Sequence, residues 1–215
     1  ISNITKNKNE FKIFIYMISK ISNYHYRSKY FIHKIERILS TFQKNLKEFF
    51  TNSQIFNIFN KNKLILLFLY EQKLITIDEK MFDNEKPEIQ MKEFFSPELK
   101  INNELFNDNP KQFYDNRKIG ENESYFCKII REDLIEEFKT FANKKQLNLS
   151  SLIPKSIFET NLLLMKHQPR IIEYAAFFGS SKIFKYLLEK KIGFSNSIWL
   201  YAFHGQNEKI ENFFQ

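Results

Sequence analysis

Apolar residues recur at three- and four-residue intervals along most of the chain, the period of a helix buried along one face. Phe11, Phe14, Ile15 and Ile18 form one such stripe, which Ile21 extends. Phe31, Ile35, Ile38, Leu39, Phe42, Leu46 and Phe49 form a longer one. Residues 60–74 read as a further amphipathic helix with Leu64, Leu67, Phe68 and Leu69 turned inward, and the joints between stripes are short and polar, as at Thr51-Asn52-Ser53. Residues 1–75 are therefore expected to form an N-terminal helical region. Over residues 76–120 the periodicity fades, Pro87, Pro97 and Pro110 interrupt any long helix, and only the apolar knots Phe94-Phe95 and Leu105-Phe106 remain. This segment is expected to be a loosely structured connector docked on the helical body by those aromatics, because ordering so polar a stretch costs conformational entropy.

From Gly120 onward the helical pattern returns and repeats. Ile171-Ile172-Glu173-Tyr174-Ala175-Ala176-Phe177-Phe178-Gly179 and Ser197-Ile198-Trp199-Leu200-Tyr201-Ala202-Phe203-His204-Gly205 both end in a small residue, a phenylalanine, a ring and a glycine, and they lie 26 residues apart. A second amphipathic stretch follows each: Ile183, Phe184, Tyr186, Leu187 and Leu188 after the first, and Ile210, Phe213 and Phe214 after the second. Tyr125 to Ile130, followed by Leu134, Ile135, Phe138 and Phe141, is a weaker copy. In such a unit the small residue admits a close neighbour, and the glycine takes the positive φ that ends the helix and turns the chain back. One unit cannot bury its own face, so units stack. The expected layout of residues 121–215 is a degenerate pair at 122–143 and pairs at about 169–190 and 196–215.

Ala175 to Gly179 followed by Ser180 to Glu189 resembles the end of the first helix, the tight turn and the second helix of an ankyrin repeat. Glu173 stands where that repeat usually has a histidine, Ile171 where it has a proline, and the 26-residue spacing is shorter than the usual ~33. Residues 116–214 more specifically resemble the divergent ankyrin-repeat proteins expanded in trichomonad protozoa, through residues 117–138, 156–161 and 171–205; Glu93 to Lys100 is similar to the connector of the helical domain that precedes the repeats in that family. The resemblance implies an all-α fold, a helical-repeat (ankyrin-like) solenoid behind an N-terminal helical region, and a scaffold that binds other proteins without catalysis or cofactor.

Composition changes this picture little. Four glycines and five prolines in 215 residues suit helices rather than a turn-rich sandwich. The single cysteine, Cys127, forms no internal disulfide and suits a reducing, cytoplasmic setting. The longest apolar run, Leu64 to Tyr70, is far short of the ~20 residues that cross a bilayer. The chain opens on Ile1 and closes on Gln215 inside a helical pattern, so it is expected to be a piece of a longer protein whose uncapped last repeat self-associates.

Charge matters more. Residues 1–75 carry 13 basic against four acidic side chains, residues 76–124 seven against 12, and the chain as a whole is +8. The basic front, with Tyr16, Tyr24, Tyr26 and Tyr30, is the alternative functional region, an anion-binding module for nucleic acid or an acidic membrane. Its lysines are spread evenly, however, and Arg27 and Arg37 are its only arginines.

The chemistry-bearing residues do not assemble. His25, His33, His167 and His204 include no i, i+4 pair, so no metal site is read, and no phosphate loop or nucleophile elbow occurs. Cys127, on an apolar helical face, is expected to be a core residue, as is Trp199; His204 is expected to be a turn residue. No catalytic, cofactor-binding or metal-ligating residue is assigned. The one sharp candidate is a partner-binding pair, Phe177 and Phe203, at equivalent positions two before the glycine, where ankyrin repeats usually face the partner. Two exposed rings in register would make an interface stripe. The competing expectation is that both rings pack between repeats.

Overall fold

The computed structural model describes residues 7–24, 29–82, 89–205 and 208–211. All of its regular elements are helical, and the one pairing of extended backbone among the described residues is an antiparallel bridge between Leu152 and Arg170. The chain divides into two units, Ile1–Glu121 with Thr160–Leu162, and Asn122–Glu159 with Leu163–Gln215.

In the first unit α1 (Lys8–Tyr24), α2 (Lys29–Thr41), α3 (Gln43–Phe49), α4 (Asn52–Phe59) and α5 (Lys63–Glu71) follow one another through short joints. Phe11, Ile15 and Ile18 of α1 are buried with Ile35 and Leu39 of α2 and Leu46 of α3. The long stripe over residues 31–49 is broken into two helices at Phe42, whose N–H is shared between the carbonyls of Ile38 and Leu39. The Phe42 ring meets Phe11 and Phe14 edge-on at 5.5 and 5.6 Å, a geometry that aromatic quadrupoles favour. Thr51 and Gln54 form a capping box on α4, and Asn62 caps α5 by accepting from the Ile65 N–H. Two side chains then fasten α1 to this pair. The Ser19 hydroxyl donates to the Ile58 carbonyl, and Asn62 Nδ2 donates to the Ser22 carbonyl at 3.1 Å.

The expected connector over residues 76–120 belongs to the first unit, and most of its described part is helical: α6 (Ile89–Phe94), α7 (Ser96–Leu99), α8 (Glu104–Asp108) and α9 (Pro110–Ile119), after a 3-10 turn at Glu79–Phe82. Pro97 and Pro110 start helices instead of breaking them, since they sit in the first turn of α7 and α9, where a missing N–H forfeits no intrahelical bond. Pro87 lies outside the described residues. The entropic cost of ordering the segment is met by burial. Phe94 and Phe95 are fully enclosed in the same core as α1 to α5, and so is a cation. Arg117 is 1% exposed and holds Glu98 through two parallel bonds of 3.0 Å. Its guanidinium lies 5.0–5.8 Å from the rings of Phe94, Phe95, Phe113 and Tyr114.

Gly120 ends α9 at φ +70°. Its carbonyl accepts from both the N–H and the hydroxyl of Thr160, and a methyl group there would meet the Thr160 hydroxyl at 2.9 Å. Gly179 ends a later helix in the same way, and five others close without glycine. Lys73, Lys100, Asp133, Gln146 and Lys191 all have φ between +48° and +57°. Each is followed by an apolar residue whose N–H reaches back into the last turn: Leu74 to Leu69, Ile101 to Ser96, Leu134 to Ile129, Leu147 to Ala142 and Ile192 to Leu187. This is the Schellman closure, built with side chains that lose about 1–2 kcal/mol at left-handed φ.

The Arg117–Glu98 pair gives the first testable expectation. Glu98→Ala leaves a buried guanidinium without its counter-charge and lowers unfolding stability by about 3–5 kcal/mol. Replacing both partners, Glu98→Leu with Arg117→Met, recovers most of that loss. Urea denaturation of the two variants checks it; a Glu98→Ala loss below about 1 kcal/mol would mean the pair is solvated.

Candidate functional site

The second unit holds α10 (Tyr125–Arg131), α11 (Ile135–Lys144), all but the first residue of α12 (Leu162–Lys166), α13 (Ile171–Phe178), α14 (Ser181–Glu189), α15 (Ile198–Gly205) and α16 (Glu208–Glu211). Helices α10/α11, α13/α14 and α15/α16 pack as pairs. Between pairs, α10 packs on α13 and α13 on α15, while α11 packs on α14 and α14 on α16. All of these helices have ten residues or fewer, too short to hold alone in water, so their ends and their neighbours carry them.

Specific polar ties join one pair to the next. Asp133 occupies in the first pair the left-handed position that Gly179 occupies in the second, which is why that copy looks degenerate in sequence. Its carboxylate accepts from the N–H groups of Lys182 and Ile183, both at 3.0 Å, and so caps α14 from the preceding pair. The residue before α14, Ser180, turns its own hydroxyl to the Ile130 carbonyl. Glu173, where the resemblance would place a histidine, is a buried carboxylate. It accepts from the Arg170 N–H at 2.8 Å, closing its own helix start, and from the Ser195 N–H and hydroxyl on the loop before α15.

A polar cluster lies beneath α10 and α13. Arg131 donates to the Asn122 carbonyl at 2.7 Å and to the Tyr174 hydroxyl at 3.0 Å. Burial drives the Tyr174 hydroxyl far above its ordinary range and pushes the Cys127 thiol up as well, outweighing the opposite pull of Ser124, Tyr174 and Arg131. A buried thiol held protonated is a poor nucleophile and a good packing residue. His204 is half-buried, its ring stacked on Phe177 at 6.3 Å, and burial lowers its pKa so that it is neutral near pH 7. Tyr201 donates to the His167 carbonyl at 3.2 Å, and burial pushes its hydroxyl up to about 12. No cluster of three or more metal-ligating side chains forms among the described residues.

The two candidate rings are placed differently. Phe177 is 1% exposed, against Phe178 at 5.0 Å and His204, whereas Phe203 is 68% exposed. They do not form an exposed stripe in register, because α15 covers the face of α13 that carries Phe177, while no described element covers the same face of α15. Trp199, expected in the core, is instead 57% exposed, one turn before Phe203. The 26-residue register explains it: Trp199 and Phe203 correspond to Glu173 and Phe177, the two positions that the next pair covers. Residues 192–205 also contain no Lys, Arg, Asp or Glu, so the segment that carries the two rings is itself uncharged. That gap in charge was visible in the sequence beside the i, i+4 spacing of Trp199 and Phe203. Phe213 and Phe214 lie outside the described residues.

No protein-family model, no curated protein and no solved structure matches this chain.

The helix ends give paired expectations of opposite sign. Lys191→Gly removes left-handed strain and touches no side-chain partner among the described residues, so it raises stability by up to about 1 kcal/mol after glycine's own entropy cost. Asp133→Gly relieves the same strain but strips two charge-assisted bonds from α14 and lowers stability by about 1 kcal/mol or more. Thermal melts read both, and shifts of the same sign would contradict the capping role of Asp133.

Proposed function

We propose that this chain is a non-catalytic protein-binding module that acts through the helix pairs of its second unit, as the ankyrin-repeat proteins it resembles do. The observation that carries the reading is the Trp199–Phe203 ridge. Tryptophan and phenylalanine held one turn apart on a helix anchored by its neighbour supply a rigid apolar contact of the kind that dominates protein interfaces. The absence of Lys and Arg from the segment that carries it favours an apolar partner face over a polyanion. Stacked pairs with ties from each to the next, through Asp133 and Glu173, support a solenoid-like repeat array. The Schellman-closed turns support the ankyrin-like form of each pair. The polar cluster of Cys127, Arg131 and Tyr174 serves as internal support in this reading, with no catalytic role, and no cofactor is needed.

Among the described residues no helix is long and apolar enough to cross a membrane. The single buried cysteine fits a reducing compartment, and we take the cytoplasm as the place of action.

The binding partner set is read by affinity capture from lysate with nuclease present. The chain is expected to retain discrete proteins at both low and high salt. Trp199→Ser with Phe203→Ser weakens their retention by roughly thirtyfold or more while the melting temperature stays put. Phe177→Ser, by contrast, costs about 3–5 kcal/mol of stability. An unchanged partner set in the double variant, or retention that collapses steeply with salt, would contradict the reading and return function to the basic first unit.

A further inference from the structure

Helix α1 has two apolar faces. One holds Phe11, Ile15 and Ile18 in the core. The other holds Ile13, Tyr16, Met17 and Ile21, each between 43 and 61% exposed, at the i, i+3, i+4 and i+8 spacing of a single helical stripe. Single exposed apolar residues are ordinary on a protein surface; four on successive turns of one face make a continuous strip. Lysines lie on and beside one edge of the strip. On the helical wheel exposed Lys20 falls between Ile13 and Tyr16, and Lys12 flanks Tyr16 with its amine over the Phe50 ring at 5.9 Å. Lys8 extends the flank by a turn. The one acid of α1, Glu10, falls between Met17 and Ile21 on the wheel, in the first turn at the N-terminal end of the strip, and is bonded to Asn7. Helix α2, packed against α1, turns Lys34 and Arg37 to solvent, and α3 turns out Lys44 and Lys47.

We infer that this face of α1 docks the first unit on an anionic lipid bilayer. A helix lying in the interface plane needs an apolar strip for the acyl boundary and cations for the headgroups. The chemistry of the strip separates this occupant from a nucleic acid. A polyanion gains nothing from Ile13, Met17 or Ile21, and would leave them against its hydrated backbone. Lysine predominates over arginine in the first 75 residues, and its flexible stem lets the charge reach headgroups while the strip is buried. Tyr16, with an apolar ring and a polar tip, suits the boundary between the two. Four side chains bind only reversibly; the strip and the charge act together, as two weak signals do in peripheral proteins. This docking is independent of the α15 ridge.

The test is co-sedimentation of the full chain with phosphatidylcholine vesicles, with and without phosphatidylserine. The chain is expected to sediment with phosphatidylserine vesicles at low salt and to stay free of neutral ones. Ile13→Ser with Met17→Ser lowers partitioning at least about tenfold with an unchanged circular dichroism spectrum and melting temperature, since both side chains are exposed. Lys8→Gln with Lys20→Gln lowers it by about fivefold per charge. Trp199→Ser with Phe203→Ser leaves it intact. Any of several results overturns the inference. These are no partitioning; partitioning that survives loss of Ile13 and Met17; partitioning abolished by the α15 variant; and a dimer in light scattering that the Ile13 and Met17 substitutions convert to monomer, which assigns the strip to a second copy. Tighter retention by a DNA oligonucleotide than by the vesicles, unaffected by those substitutions, assigns the charge to nucleic acid and overturns it too.

Discussion

Every short helix in the second unit has to end, and the way it ends decides the rest. A helix of seven to ten residues leaves a large share of its N–H and C=O groups without intrahelical partners, and it gains too few internal bonds to stand alone. The chain meets this constraint with left-handed closing residues. Asp133, Gln146, Gly179 and Lys191 each reverse the backbone, and the residue that follows points an amide back into the helix just completed. At Asp133 and Gly179 the reversal brings the next helix alongside and so makes a pair. The same reversal aims the Asp133 carboxylate at the first amides of α14, so closing one pair also starts part of the next.

Stacking then follows from burial. Ala175 and Ala176 allow α13 to be approached closely and are fully covered, as are Ile171 and Ile172. Glu173 converts what would be a buried, costly charge into a tie by filling its acceptor sites with Arg170 and Ser195 donors, which is the condition under which a buried carboxylate is tolerated. Helix α13 thus presents to α15 a face of small and aromatic residues with a polar anchor at one end. Helix α15 presents the face once more, with Trp199 and Phe203 in place of Glu173 and Phe177.

Much of the helical content was legible because burial imposes its period on the sequence: the α1 and α2 stripes and the 26-residue echo between α13 and α15 needed only the positions of apolar residues. What was not legible has specific causes. The closing lysines and Gln146 carry no local signal, since nothing in the sequence distinguishes a lysine at φ +57° from any other. Pro97 and Pro110 read as breakers, because a proline at the first turn and a proline in a helix interior look alike until the boundary is known. The order of the 76–120 segment rests on Arg117 meeting Glu98 nineteen positions earlier inside a ring of aromatics, a partnership that no periodicity announces. Phe177 and Phe203 share one local pattern and differ in exposure because α15 covers the first while no described element covers the second, which is a property of the packing and not of either residue.

The account depends most on the face of α15 being open. Trp199 is the chain's single tryptophan, so its fluorescence reports that face without any substitution. In the dilute, partner-free protein the emission is expected to be as red as that of tryptophan in water and freely quenched by acrylamide, and to shift to the blue when a captured partner is added. Blue, poorly quenched emission from the isolated chain would mean that Trp199 is already packed, and that the ridge assigned to a partner belongs to the fold.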